Sequence, residues 1–179
     1  MSDLEERMLE LLDKQELHEL QVRYCHGVDL QDRQLLLSVY HEDAIDAHPG
    51  FGKGSPEEFA NWVIREDNST RRIHSQHTVV NELYTIEGDK AWGECYTMGR
   101  NAWTGEGQAF GRYLDRYERR DGEWRIHRRL CVVEWAPPGG GFDSQVYGFR
   151  GKDDPSYILR AKGDPVDAMP DNYARINLS

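Results

Sequence analysis

The amino-acid sequence predicts an α+β fold in which amino-terminal helices pack over a strongly curved antiparallel sheet, forming a cone around one pocket for a small organic molecule. Apolar residues recur at three- and four-residue steps early in the chain, which indicates amphipathic helices. From Ser75 onwards, β-rich segments of about a dozen residues alternate with glycine-containing turns, which is typical of an antiparallel meander. The chain has 179 residues, of which 38% are hydrophobic, enough for one domain core.

The first helix is predicted to begin at Asp13, because an aspartate N-cap followed by Glu16 at the third helical position is a common start signal. Its apolar stripe runs from Leu17 to Val28 and should face the core. Asp29 then lies near the end of this helix.

Two shorter helices are predicted next. The first covers Asp32 to Tyr40, and a short strand and turn follow it over residues 41–54. The second begins at Ser55, because a serine N-cap, a proline at the first helical position and an acid at the third favour a helix start. We expect it to reach about Glu66.

The rest of the domain is predicted to be a four-stranded meander. The strands are expected at Ser75–Ile86, Lys90–Trp103, Gln108–Arg119 and Glu123–Trp135. Strands of this length do not stay flat, so the sheet should twist and curl. Residues 1–137 then form the α+β cone. Residues 138–179 are a C-terminal extension that belongs either to the same domain or to a subunit interface.

Composition argues against several functional classes. The formal net charge is −10 and no basic stripe is present, so a nucleic-acid partner is not expected. No stretch approaches the roughly 20 apolar residues needed to cross a bilayer, and the acidic start does not resemble a secretory signal, which predicts a cytoplasmic protein without a membrane partner. Cys25, Cys95 and Cys131 are odd in number and widely spaced, which favours buried reduced thiols over disulfides.

His74 and His77 form an H-x-x-H pattern, with Asp46 and His48 upstream, and such a set of side chains can bind a metal ion. Residues three apart on a strand point to opposite faces, so this spacing does not bring the two histidines to one ion. We therefore predict no metal and no cofactor. Asp46 and His48 are kept as candidate secondary pocket residues.

Three segments carry a family resemblance: Tyr-Cys-His-Gly-Val-Asp at residues 24–29, His77 at the start of the first long strand, and residues 117–124 followed by Arg129. These segments are similar to the corresponding stretches of hexachlorocyclohexane dehydrochlorinases and bile acid 7α-dehydratases. The order of elements over residues 10–137 resembles the nuclear-transport-factor-2-like superfamily, in particular its SnoaL-like branch. Scytalone dehydratases share this architecture.

The resemblance implies a cofactor-free elimination performed by an aspartate–histidine dyad, for which the matching residues are Asp29 and His77. Tyr24 matches a tyrosine of the bile acid enzymes, and Arg129 matches an arginine of the dehydrochlorinases. The lysine that the dehydrochlorinases carry at the Tyr24 position is absent. The resemblance also implies a homo-oligomer, for which we favour a trimer over a dimer.

The chemistry of these four side chains fits such a reaction. A histidine, with an ordinary pKa of about 6.5, suits proton abstraction near neutral pH, and a carboxylate on its other ring nitrogen fixes the tautomer. A phenol such as Tyr24 can donate to a departing oxygen or a developing enolate, and Arg129 can stabilise the anion. The alternatives are structural: a helix cap for Asp29, core packing for Tyr24 and His77, and a solvated ion pair for Arg129.

Aromatic residues on the strands suggest an apolar, ring-bearing ligand. The predicted pocket residues are Trp62, Tyr96, Met98, Phe110 and Trp135, with His48 as a polar member. Arg100 and Arg112 would suit an anionic substrate group if they point inwards, although salt bridges on the outer face are the commoner use.

The sequence therefore predicts a cofactor-independent lyase that acts on a hydrophobic cyclic or aromatic molecule. Water is the first choice of leaving group and formaldehyde the second. Two alternatives remain open: an isomerase or cyclase that uses the same dyad, and a binding module without chemistry. A separation of more than about 6 Å between Asp29 and His77, with no bridging water, would favour the binding module.

Overall fold

The computed structural model describes residues 2–64, 75–101, 107–135 and 163–168. Its α-helices are α1 (Asp3–Asp29), α2 (Arg33–Ser38) and α3 (Pro56–Val63). Its strands are β1 (Tyr40–His48), β2 (Gly52–Gly54), β3 (Ser75–Glu87), β4 (Lys90–Asn101), β5 (Gly107–Arg120) and β6 (Glu123–Trp135), and a 3₁₀ helix covers Pro165–Ala168. The strands form one sheet in the order β2-β1-β6-β5-β4-β3, in which β1 runs parallel to β6 and every other neighbouring pair is antiparallel.

Helix α1 begins well before the predicted position. Ser2 is its N-cap: its hydroxyl accepts from the Glu5 backbone N–H at 3.3 Å, and the Glu5 carboxylate accepts from the Ser2 N–H at 2.7 Å. The prediction that the helix starts at Asp13 is wrong because the Asp13 carboxylate bonds to the sheet instead of capping. It accepts from Arg119 Nη1 at 2.7 Å and from Trp124 Nε1 at 2.8 Å.

The N-cap predicted at Ser55 is confirmed, whereas the helix predicted over Asp32–Tyr40 ends earlier, at Ser38, because Tyr40 is the first residue of β1. Asp32 caps α2 by accepting from the Leu35 N–H at 3.0 Å, and Ser55 forms a capping box with Glu58 at the start of α3. Helix α3 ends at Val63 because Ile64 has extended backbone angles. The predicted end at Glu66 lies outside the described residues.

The four predicted long strands correspond closely to β3–β6, although Trp103 lies outside the described residues. Beside them, β1 pairs with β6 so that Asp46 lies opposite Arg129 and Ala47 opposite Leu130. The fold class is therefore the predicted α+β class, with a six-stranded mixed sheet. The strong curvature of that sheet stays a prediction.

The sheet separates two apolar clusters. On the helix side, residues of α1, α2 and α3 pack against the inner face, with Leu17, Leu36 and Phe59 almost fully buried. On the outer face, Leu114 and Leu130 are buried together with Val166 of the 3₁₀ helix. No helix in the described part of the chain is long and apolar enough to span a membrane.

Candidate active site

A cavity of about 140 Å³ lies between helices α1 and α3 and the inner face of the sheet. It exists because the inward positions at one end of β4–β6 carry small side chains. These cavity-lining residues are Thr97, Gly99, Ala109, Gly111, Cys131 and Val133. A Cβ atom at Gly111 would lie 2.1 Å from the Val132 carbonyl oxygen, so the backbone itself forms the wall there.

Asp29 and His77 meet at the rim of this cavity. The His77 ring Nδ1 lies 2.6 Å from Asp29 Oδ1, and the His77 backbone N–H donates to Asp29 Oδ2 at 2.8 Å. The Ser75 hydroxyl donates to Asp29 Oδ1 at 2.8 Å. A carboxylate at a helix C-terminus is disfavoured by the helix dipole, so the three donors from β3 are what hold Asp29 in place.

The hydrogen bonds to Asp29 decide its charge. Burial alone would raise the pKa of the carboxyl group, but the hydrogen bonds from the His77 ring and backbone and from Ser75 lower it below its ordinary value. Asp29 is therefore a carboxylate at neutral pH. It accepts the Nδ1–H of His77 and leaves the ring Nε2 as the nitrogen available for proton transfer.

The Nε2 atom of His77 lies over an open part of the sheet. His77 pairs with Gly99 across β3 and β4, and a Cβ atom at Gly99 would stand 3.5 Å from Nε2. His77 and Gly99 both line the cavity. A ligand in the cavity can therefore approach Nε2 above this glycine.

A second aspartate–histidine pair lies at the inner side of the same cavity. His48 Nδ1 donates to Asp46 Oδ1, and the Tyr40 hydroxyl donates to Asp46 Oδ2 at 2.5 Å. His48 Nε2 lies 3.0 Å from the Tyr24 hydroxyl oxygen. Tyr24 and His48 line the cavity, whereas Asp46 is fully buried behind them.

This second pair carries a proton that His48 would lose in water. Burial alone would lower the pKa of the imidazole, but the Asp46 carboxylate and, after it, Cys131 raise it to about 10. The His48 ring also stacks on Phe59, with 4.5 Å between ring centroids and 23° between planes. His48 is therefore an imidazolium at neutral pH.

Arg129 lies beneath the cavity and does not line it. It is fully buried, and its Nε and Nη2 atoms donate to the two Asp115 oxygens at 2.8 and 2.7 Å. Nη2 also donates to Gln21 Oε1 at 2.6 Å. The guanidinium carbon lies 4.1 Å from the centre of the Tyr24 ring and 4.3 Å from that of Tyr113.

This arrangement corrects the expected position of Arg129. The predicted direct contact with a substrate anion would need the guanidinium to face the cavity, but its two tyrosine neighbours stand between. The alternative of a solvated ion pair is also wrong, because neither Arg129 nor Asp115 is exposed. Arg129 instead fixes the position of the Tyr24 ring from below.

The predicted pocket residues divide between the two faces of the sheet. Those that line the cavity are Tyr24, His48, Trp62 and His77. Four others lie on the outer face and do not line it: Tyr96, Met98, Phe110 and Trp135. Tyr96, Met98 and Trp135 are 46%, 40% and 52% exposed.

Successive side chains of a strand point to opposite faces of the sheet. Tyr96, Met98 and Phe110 therefore point outwards, because they alternate with the inward residues of β4 and β5. Trp135 lies two residues after the inward Val133 and would face inwards in a regular strand, but a β-bulge separates the two residues. The bulge pairs Trp135 with Phe110 and places it on the outer face. Arg112 also points outwards, where it forms ion pairs with two glutamates.

Several contributors were not recognised from the sequence. Phe59 lines the cavity, Ser75 supports Asp29, and Asp115 holds Arg129. One usable signal was the spacing of Asp46 and His48, because residues two apart on a strand share a face. Within the described ranges, no three histidine, cysteine, aspartate or glutamate side chains are grouped as metal ligands would be.

The SnoaL-like domain family matches residues 9–130 of the chain. A putative scytalone dehydratase from Novosphingobium aromaticivorans aligns over 79% of this chain and 92% of its own, with a TM-score of 0.63 and 18% identity. The hexachlorocyclohexane dehydrochlorinase LinA-type3 from Novosphingobium barchaimii aligns over 84% and 100%, with a TM-score of 0.63 and 21% identity.

A Mycobacterium tuberculosis protein of unknown function aligns over 99% of this chain and 96% of its own, with a TM-score of 0.63 and 22% identity. No curated protein matches the sequence. At these identities the solved structures show a shared nuclear-transport-factor-2-like fold, and the structural relatives with this fold include a dehydrochlorinase and a putative dehydratase. The match over residues 9–130 covers most of the chain, which therefore belongs to the SnoaL-like domain family.

Proposed function

We propose that this protein is a cofactor-independent lyase of the dehydratase-like or formaldehyde-eliminating kind, acting on a hydrophobic cyclic or aromatic small molecule. The observation that carries the proposal is the 2.6 Å contact between His77 Nδ1 and Asp29 at the rim of an apolar cavity. An oriented histidine beside a ligand cavity is the arrangement that general base catalysis needs.

His77 is the proposed base. In loss of water, its Nε2 takes a proton from carbon, the carbon–hydrogen electrons form the new double bond, and the hydroxyl group departs with the carbon–oxygen bonding pair. In loss of formaldehyde, Nε2 takes the proton of the alcohol, the oxygen–hydrogen electrons form the carbonyl group of formaldehyde, and the broken carbon–carbon pair stays on the remaining fragment. Asp29 stabilises the imidazolium that results. Tyr24 is the hydrogen-bond donor to the departing group, because its pKa is raised well above 10, chiefly by burial, and the phenol keeps its proton.

Arg129 is proposed to act through Tyr24 and not on the substrate. The Arg129 charge is paired with Asp115. The guanidinium contacts the face of the Tyr24 ring, and Tyr24 in turn lines the cavity. It is therefore a positioning residue for the donor.

Apolar side chains support an uncharged ring as the reacting part of the substrate. Val28, Phe59, Trp62 and Val63 come from the helices, and Val133 comes from the sheet. Polar side chains also line the cavity, and the two histidines are among them. Such a cavity orients a flat apolar molecule between two sites of proton transfer.

The test is turnover without added cofactor and with EDTA present. A nitrobenzisoxazole, whose ring opens on loss of one proton, reports the base alone, and a panel of aryl β-hydroxy ketones and aryl-bearing alcohols reports loss of water or formaldehyde. His77→Ala should abolish both activities. His18→Ala is the matched control, because His18 also pairs with a carboxylate, Glu82 at 2.9 Å, but does not line the cavity.

Equal turnover by wild type and His77→Ala would remove His77 as the base. Tight binding of the same compounds without turnover by either protein would favour a binding module. A product of unchanged mass would indicate an isomerase or cyclase.

A further inference from the structure

The cavity is bordered by two aspartate–histidine pairs of opposite character. His77 stands at the rim, where its Nε2 makes no hydrogen bond within the described residues. His48 stands on the inner side and bonds through both ring nitrogens, to Asp46 and to Tyr24. The first pair can accept a proton, and the second holds one.

Asp46 is fully buried beside His48, and a buried carboxylate is stabilised by an adjacent cation, which favours the protonated form of His48. Asp46 is the nearest charge, and it also accepts from the Tyr40 hydroxyl. From the other elements, the Phe59 ring stacks on His48 from α3, and Cys131 faces it from β6. The Tyr113 ring lies 5.9 Å away. The Arg129 guanidinium, which lies against the Tyr24 and Tyr113 rings, is paired with Asp115 through two hydrogen bonds.

The protonation of His48 determines whether the Tyr24 hydroxyl donates to His48 or to another acceptor. An imidazolium donates from both nitrogens, so His48 Nε2–H donates to the Tyr24 oxygen at 3.0 Å. The phenolic proton of Tyr24 is thereby left free to donate elsewhere. Because Tyr24 lines the cavity, the cavity occupant is its available acceptor.

We propose that Asp46, His48 and Tyr24 form a proton-supplying relay, and that the leaving group of this enzyme is therefore a hydroxyl oxygen, which must be protonated as it departs, and not a halide. This inference rests on the proposed function and narrows its substrate class to compounds with a hydroxyl group β to the abstracted proton. A halide leaves as a stable anion and gains little from such a relay.

The step balances without a further reactant. His77 Nε2 takes the proton from carbon, the carbon–hydrogen electrons form the double bond, and the carbon–oxygen bond breaks with its electron pair on oxygen. That oxygen takes the Tyr24 proton and leaves as water, while the Tyr24 oxygen takes the Nε2 proton of His48. Return of one proton from His77 to His48 through solvent restores the starting state.

The relay can be tested without a substrate by binding para-nitrophenol, whose absorbance distinguishes phenol from phenolate. A cavity that donates a strong hydrogen bond to oxygen should hold the ligand as phenolate at lower pH than in water. In His48→Gln, which can still donate to Tyr24 but carries no charge, the ratio of bound phenolate to phenol should fall about tenfold at a given pH, one pKa unit. Tyr24→Phe should lower it similarly.

His18→Ala is the control, because His18 pairs with Glu82 at 2.9 Å and does not line the cavity, so this variant should leave the ratio unchanged. An equal ratio in wild type and His48→Gln, or no binding of para-nitrophenol to wild type at millimolar concentration, would overturn the relay. Nitrogen NMR of the wild-type protein provides a measurement that does not depend on a variant folding. It should show both ring nitrogens of His48 protonated at about pH 8, and a neutral His48 would overturn the proposal.

Different results would overturn the assignment of His77 as the base and the relay of Asp46, His48 and Tyr24. If His77→Ala keeps the nitrobenzisoxazole activity, the assignment of the base is wrong whatever para-nitrophenol shows. If that activity is lost but the phenolate ratio does not respond to His48→Gln, only the relay is wrong.

Discussion

His48 should make the stability of the protein fall as the pH rises through the neutral and mildly alkaline range. Its pKa is about 10 in the folded protein, against about 6.5 for an unfolded histidine. Because the folded value is the raised one, the stabilisation is complete below about pH 6.5 and is lost as the pH rises through about 10. Between these values the folded state binds one more proton, so the free energy of unfolding falls by about 1.4 kcal/mol per pH unit.

The assay is urea unfolding at about pH 7, 8 and 9 for wild type and the double variant Asp46→Asn/His48→Gln. The double variant is needed because His48→Gln alone leaves Asp46 buried without its cation, and a proton taken up there would reproduce the same slope. Cys25 and Cys95, whose pKa values are raised by burial, contribute equally to both proteins.

The wild-type advantage should shrink by about 3 kcal/mol between about pH 7 and 9, which is a large part of the stability of an ordinary domain. A difference between the two proteins that stays constant over this range would refute a protonated His48.

Three further predictions concern the cavity and its supports. Gly111→Ala should destabilise the protein by about 1–3 kcal/mol in thermal unfolding, because the new Cβ meets the Val132 carbonyl oxygen at 2.1 Å; an unchanged midpoint would contradict the tight wall. Arg129→Met should cost about 3–5 kcal/mol in urea unfolding by leaving Asp115 buried and unpaired, and adding Asp115→Asn should recover part of the loss. If the double variant is no better than the single one, the ion pair is not the cause. Asp29→Asn should lower kcat about 10²–10⁴-fold with little change in KM in the elimination assay, and a change in KM alone would make Asp29 a binding residue.

Local signals predicted much of the fold. The cap at Ser55 was predicted because a serine hydroxyl before a helix accepts from a backbone N–H of the first turn that has no partner within the helix. Asp13 shows the same pattern, but the cap predicted there is wrong because Arg119 and Trp124 of the sheet donate hydrogen bonds to its carboxylate. A capping residue can be diverted by tertiary partners that no local pattern contains.

The candidate site was predicted in part. Asp29 and His77 lie in different elements, and it was the family resemblance that brought them together, since no spacing rule joins a helix end to a distant strand. The outward position of Trp135 depends on a bulge in β6, and a single extra residue reverses which face a side chain occupies. The buried pairing of Arg129 with Asp115 across β5 and β6 depends on strand register in the same way. The predicted homo-oligomer and the role of residues 138–179 stay predictions.

The small side chains on the inner face of β4–β6 determine the size of the cavity, and they are separate from the residues that transfer protons. The proton-transfer groups stand on α1, β1 and β3, whereas the free space is set by residues such as Thr97, Ala109 and Val133. Enlarging one of these three side chains changes which ring fits without moving a histidine or its carboxylate. Laboratory evolution towards a new substrate should therefore accumulate its first beneficial changes on the central strands and leave both aspartate–histidine pairs untouched.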